Sequence, residues 1–226
     1  VFHQRGVARA SLKEIARTAG LSRGAVYWHF RNKEDLFEAL CQRHFAVMQE
    51  DMSRAMDHGN PQAWPEFLQL CINFQLRLAQ DPDARRFYTV LHLQCEETPD
   101  NAAITRILRH HKSLWHQQLL SALAIGQRHH YLPAELDIDA ACTLFMCTLF
   151  GIANQWLADP GSFDMAECAP RYVHSCIHML SHSPWLMRAP LPAPIPEPAP
   201  PPATAPLNRA LRRLWPTIRP SIHEPT

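Results

Sequence analysis

Between residues 10 and 183 apolar side chains recur at i, i+3, i+4 and i+7 through long windows. The pattern breaks only at short turn signals: Gly20, Asn32, Asn60-Pro61, Asp81-Pro82, Pro99-Asp100, Leu132-Pro133 and Asp159-Pro160-Gly161. A 3.6-residue period does not suit a strand, whose side chains alternate with period two, so the chain is restricted to helices that each bury one face. The spacing predicts helices over 12–19, 23–29, 33–57, 62–80, 83–97, 101–129, 138–157 and 165–182. Neither a strand pattern nor an internal repeat is visible. Seven glycines in 226 residues leave little material for Gly-rich phosphate loops or tight hairpins. The expected fold class is all-α.

After residue 183 the composition changes. Thirteen of the 20 prolines lie in 184–226, nine of them between Pro190 and Pro206, where Pro alternates with Ala and Leu in a way that favours polyproline II and prevents helix. Beyond this spacer, Leu207, Ala210, Leu211 and Leu214 beside Arg209, Arg212 and Arg213 form a short basic amphipathic pattern. Three segments follow: 1–45, 46–183 and the Pro-rich tail 184–226. Their charges differ in sign, with eight basic and four acidic residues in the first, nine and fifteen in the second, five and two in the third. A basic head on an acidic body points the head, and not the body, toward a polyanion.

Several classes are disfavoured. No G-x-S-x-G, H-E-x-x-H, P-loop or dinucleotide fingerprint occurs, so neither an enzyme nor a bound cofactor is expected. His174, His178 and His182 at i, i+4 and i+8 lack a partner ligand at a recognised spacing, so no metal site is expected. His110-His111 and His129-His130 read as exposed helix positions. The seven cysteines are an odd set without C-x-x-C pairing and read mostly as buried thiols; a switch through Cys142 and Cys147 lacks neighbouring cations in sequence. No uninterrupted apolar run of about 18 residues occurs and VFHQRGVARA has no signal-like apolar stretch, so the expected location is cytoplasmic, without a membrane partner.

The segment SLKEIARTAGLSRGAVYWHFRNKEDLF carries the strongest signal. Ser11 and Glu14 make an S-x-x-E capping box for a helix whose Leu12, Ile15 and Ala16 face inward. Gly20 suits the left-handed residue of a tight turn, Leu21 gives that turn an apolar anchor, and Ser22 caps the next helix: the layout of a helix-turn-helix. That second helix offers Arg23, Gly24, Ala25, Tyr27 and Trp28 outward, a guanidinium for guanine edges among small residues that permit close approach. Ala25, Val26 and Phe30 supply its packing. Asn32 caps the following helix, and Lys33 sits in a first turn that favours phosphate.

These residues resemble the DNA-binding domain of TetR-family transcriptional repressors, and SRGAVYWHF with NKEDLF is similar to the AcrR-like branch that controls multidrug efflux genes. The resemblance implies a three-helix DNA-binding domain at 1–45 followed by a helical ligand-binding and dimerisation domain at 46–183. It implies phosphate contacts from Ser11, Tyr27, Trp28, His29 and Lys33, with Ser22 capping the reading helix, and base readout by Arg23 with close approach at Gly24 and Ala25. The partner implied is a pseudo-palindromic operator in double-stranded DNA, bound by a homodimer. One departure stands out: VFHQRGV supplies only about the last turn of the family's first helix before Gly6, with Phe2 in the expected place. An alternative reading is therefore a dimerising interaction protein impaired in DNA binding by its truncated first helix, with the Pro-rich tail as a peptide ligand.

The resemblance assigns the last two helices of the body to a dimer interface. The stripes Cys142, Phe145, Met146, Leu149, Phe150 and Tyr172, Cys176, Ile177, Met179, Leu180 suit this and also suit ordinary core. An effector site is expected among Trp64, Phe67, Phe87, Leu91, Gln94, Trp115, Gln118, Phe145 and Phe150, with Phe74, Trp156, Asn154 and Gln155 nearby in pattern. Glu66, Glu96 and Glu97 make a cationic effector reasonable beside a purely hydrophobic one.

Overall fold

A computed structural model describes residues 1–55, 60, 62–95 and 101–188. Within them the chain forms α1 (Phe2–Arg9), α2 (Leu12–Thr18), α3 (Arg23–His29), α4 (Lys33–Ala55), α5 (Ala63–Gln80), α6 (Pro82–Leu93), α7 (Ala102–Arg128), α8 (Ile138–Ala158) and α9 (Met165–His182), then a 3-10 turn at Pro184–Leu186. No strand occurs among the described residues, and one isolated bridge joins Leu136 to Met187. The fold is all-α. Glu96, Glu97 and the Pro-rich tail with its basic pattern lie outside the described residues.

The helix starts are set by local capping. Ser11 Oγ accepts from the Glu14 N–H at 3.2 Å and Ser22 Oγ from the Ala25 N–H at 3.1 Å. Asn32 Oδ1 accepts from the Asp35 N–H at 2.8 Å. Asp81, Asp137 and Asp164 cap α6, α8 and α9 in the same way, and Pro82 takes the first position of α6, where a missing N–H costs nothing. The Glu14 carboxylate does not complete a reciprocal capping box; it pairs with Arg5 at 2.6 Å and so joins α1 to α2.

Two cores form. A small one in the head comprises Leu12, Ala16 and Val26 with Phe30 and Leu36 against them. The large one is centred on α5, whose Trp64, Phe67, Cys71, Phe74 and Leu78 are buried at helical spacing among α4, α6, α7, α8 and α9. Leu36 packs against both cores, and α4 therefore belongs to head and body at once. The head also meets the body through α1, which packs on α6. Phe2 makes an edge-on contact with Phe37 at 5.6 Å between centroids, and Gly6, at φ 73°, interrupts α1 before Val7 enters the core. Gln75, buried in α5, donates from Nε2 to the Leu149 carbonyl of α8 at 2.9 Å.

Helix α8 alone among the described helices is long and apolar enough to cross a membrane by length and composition. Its Ala141, Cys142, Phe145, Leu149 and Ala153 are buried against neighbouring helices, so its apolar character is that of a core element. The fold continues beyond the expected boundary at Ser183: the Asp137 N–H donates to the Leu186 carbonyl and the Arg188 N–H to the Glu135 carbonyl, both at 2.7 Å.

Gly126 of α7 marks the closest approach in the core. A Cβ there would lie 2.7 Å from Cζ3 of Trp64, a rigid ring that is 4% exposed. Gly126→Ala is expected to lower the unfolding free energy by about 1–3 kcal/mol through overpacking, read as a shift in denaturant midpoint with unchanged slope.

Candidate DNA interface and effector cavity

The turn between α2 and α3 follows from Gly20, whose φ of 68° needs no side chain. The Gly20 N–H donates to the Arg17 carbonyl at 3.2 Å and the Leu21 N–H to the Ala16 carbonyl at 3.0 Å, a Schellman closure of α2. These two bonds hold the turn, and Leu21 is 54% exposed rather than the apolar anchor expected. On α3 only Val26 is buried; Arg23, Gly24, Ala25, Tyr27, Trp28 and His29 all face solvent. Ala25 thus belongs to the outward face and not to the packing. Trp28 is 85% exposed, and the Arg23 guanidinium lies 5.0 Å from the Tyr27 ring centroid, which holds the cation at the start of the exposed face.

Ser11 and Ser22 sit at the N-termini of α2 and α3 with their hydroxyls engaged as caps. Lys33 has a duty that spacing did not reveal. Its Nζ donates to the carbonyls of Val7 and Ala8 at 3.0 and 2.9 Å, binding the last turn of α1 to the start of α4. A lysine near free helix carbonyls is favourable for the same electrostatic reason as one near phosphate.

The body contains a cavity of about 310 Å³, bounded by α4, α5, α6, α7 and α8. Of the expected effector residues, Leu91, Trp115, Gln118 and Phe150 line it, together with Phe74 and Asn154. The others do not. Trp64 packs on Gly126, Phe67 meets Phe145 in a tilted ring contact, and both phenylalanines are at most 1% exposed within the core. Phe87 lies flat on His44 at 4.1 Å and lines a separate cleft with Phe2 and Phe37. Gln94 terminates α6, and Trp156 stacks under Arg85. Gln155 is exposed. Glu66 stays at the first turn of α5, accepting from Asn60 Nδ2 at 2.9 Å.

Residues missed by the sequence reading complete the walls: Phe45, Met48 and Gln49 from α4, Tyr88 and His92 from α6, and Leu108, His111 and Lys112 from α7. A signal did exist on α7, where positions 108, 111, 112, 115 and 118 share one face. His111 is half-buried there, not an exposed helix position. Burial holds the His92 and His111 imidazoles below their usual range, so both are neutral at pH 7.

The stripes assigned to the dimer are largely intrachain core. Cys142, Phe145, Met146 and Leu149 of α8, and Cys176 and Leu180 of α9, are buried within one chain, because α8 and α9 turn these faces toward α5, α6 and α7 and toward one another. Their outward faces carry Thr143, Cys147, Gly151 and Gln155 on α8, and His174, His178 and Met179 on α9. All seven cysteines are free thiols; Cys147 alone is exposed, and burial pushes the Cys142 thiol up to about 11. His178 and His182 stack at 4.1 Å, with His182 Nδ1 on the His178 carbonyl at 2.8 Å.

A helix-turn-helix with its second helix exposed, joined by one long helix to a body with an apolar cavity, is the architecture of a helix-turn-helix transcriptional regulator. Residues 1–40 match the family model for bacterial regulatory proteins of the tetR family, and residues 65–182 match the C-terminal region of MAATS-type transcriptional repressors. The chain is 34% identical over 190 residues to the probable HTH-type transcriptional regulator ArpR of Pseudomonas putida, covering 83% of this chain and 89% of the relative. Among solved structures it resembles MexZ, a repressor responsible for antibiotic resistance in Pseudomonas aeruginosa, with TM-score 0.69, 25% identity and coverage of 82% and 92%. It also shares the fold of SmeT bound to triclosan, with TM-score 0.69, 22% identity and coverage of 87% and 93%. The chain belongs to the TetR family, in its AcrR-like multidrug-repressor branch, and is a transcriptional regulator and not an enzyme.

Trp28 and Val26 separate surface from core on the reading helix. Trp28→Ala is expected to leave the unfolding free energy within about 0.5 kcal/mol while weakening retention on duplex DNA. Val26→Ala should lower stability by about 1–2 kcal/mol. Denaturation and gel-shift titration of the two variants check this.

Proposed function

We propose that this chain represses a multidrug efflux operon as a homodimer on a pseudo-palindromic operator and is released when a small hydrophobic molecule fills the body cavity. The observation that carries the reading is α4 itself. Its first turns pack in the head through Leu36 and Phe37, and its later turns supply Phe45, Met48 and Gln49 to the cavity wall. A ligand favours release only if it binds the DNA-incompetent arrangement more tightly, and a wall that is also the stem of the head gives it that leverage. MexZ as a repressor of antibiotic resistance and SmeT with triclosan support the same reading by likeness.

On DNA, Arg23 reads base edges, Gly24 and Ala25 allow close approach, and Ser11, Ser22, Tyr27, Trp28 and His29 meet the backbone, while Lys33 fixes α1 against α4. A two-fold dimer sets two α3 helices about 34–36 Å apart, or a multiple of that, along one face of the duplex. The dimer forms through the outward faces of α8 and α9. Gly151 supports this, since the space where its Cβ would sit is open within 4 Å, which leaves room for a partner helix to approach. The packing of Phe2 on Phe37 and the Lys33 tether to α1 support a competent head over an impaired one.

Selection from random duplex DNA should enrich a palindrome, with release by a hydrophobic drug in a gel shift; failure of enrichment with a folded dimer sinks the repressor reading. Arg23→Ala should relax base preference at one position of each half-site, a discrimination of about 1–3 kcal/mol, while retaining non-specific binding. Gly151→Glu should sediment as a folded monomer and lose operator binding. A dimeric Gly151→Glu protein places the interface elsewhere.

A further inference from the structure

The cavity is aromatic in its walls and basic in its ionisable groups. Phe74, Tyr88, Trp115 and Phe150 form its sides, Lys112, His111 and His92 are its ionisable basic groups, and no carboxylate lines it among the described residues. His111 and Lys112 are adjacent on α7, and Trp115 and Gln118 follow His111 at i+4 and i+7. One helix face therefore presents an imidazole, an ammonium, an indole and an amide together. His111 Nδ1 is buried with no hydrogen-bond partner among the described residues, although its ring packs against Phe45 at 4.7 Å. A buried polar atom left unpaired is a cost that a ligand atom at the same place relieves. Lys112 lines the cavity and is exposed to solvent, as a charged head on an apolar stem prefers to be. With both imidazoles neutral, Lys112 is the cation that lines the site.

We infer that the effector is an amphiphilic carboxylic acid, its carboxylate held by the Lys112 ammonium and the His111 imidazole, its apolar body against Phe74, Trp115 and Phe150. The inference rests on the cavity being the effector site. Charge-assisted hydrogen bonds are the strong ones in a partly desolvated site, whereas an organic cation would meet Lys112 as a like charge. A volume of about 310 Å³ lies at the small end of ligand sites and suits a body of one or two fused rings.

Titration calorimetry of the full chain near neutral pH with naphthoate, naphthamide and naphthylmethylammonium tests this, since the three share one apolar body and differ in charge. Naphthoate should bind at least about tenfold more tightly than either of the others. Lys112→Met should abolish that preference, so that naphthoate and naphthamide bind alike. Equal or tighter binding of the amide or the ammonium overturns the acid inference, as does naphthoate affinity unaffected by Lys112→Met. Trp115→Ala, or the cavity-filling Leu91→Trp where the first does not fold, should weaken all three probes. If none binds, or if neither folded variant changes any affinity, the effector-site reading itself fails; loss of acid preference alone leaves that reading standing.

Discussion

The unbroken hydrogen-bond ladder of α4 is the constraint on which the rest of this structure depends. Its 23 residues rise about 1.5 Å each, so Phe37 in the head and Met48 in the cavity wall lie about 16 Å apart on one rod. A helix of this kind transmits rotation or translation but does not compress. Leu36 of the same helix packs against the small core of Leu12, Ala16 and Val26, so one rod borders both that core and the cavity. The small core of the head has only three buried side chains, and the other buried residues of the head, such as Phe2, Val7 and Phe37, pack in the large core shared with the body, so the head depends on the body for its stability.

The second link between head and body runs through aromatic contacts beside the rod. His44 lies on Phe87, Phe45 meets both Phe87 and His111, and Phe87 faces the cleft that Phe2 and Phe37 share. Burial and the neighbouring Arg77 and Arg43 hold the His44 imidazole below its usual range, so this joint stays uncharged at neutral pH. Close-packed aromatic joints exchange between discrete arrangements and do not deform continuously. Phe45 thus belongs both to this joint and to the cavity wall.

The legibility of the molecule in its sequence divides along the range of the interactions involved. Ser11, Ser22, Asn32, Asp81, Asp137 and Asp164 each satisfy N–H groups within three residues, so helix starts were readable without knowing any neighbour. Gly20 was readable because a left-handed residue between two capped helices has few alternatives. The outward set on α3 followed from the same local geometry, apart from Ala25, counted on both faces, and Leu21, whose turn is held by backbone bonds. Lys33 shows the limit: an ammonium in a first turn suits an anion, but the carbonyls of Val7 and Ala8 lie 26 and 25 residues away in sequence.

Composition, period and capping by themselves determined an all-α chain, the starts of its capped helices and a basic helix-turn-helix head, because these depend on hydrogen bonds and side-chain spacings within a single turn or two; α1 at Phe2–Arg9 and the end of α6 at Leu93, short of the expected 97, were decided by packing. Which aromatic residues border empty space was decided only by tertiary structure. Trp64 and Trp115 carry the same indole on comparable amphipathic helices, yet Trp64 fills the gap over Gly126 and Trp115 faces the cavity. The same holds for α8, which buries in its own chain Cys142, Phe145, Met146 and Leu149 of the stripe that suits a dimer equally well. A broad apolar stripe carries no local mark of whether its own chain or a second copy will cover it. That choice is made by the packing of all the helices at once.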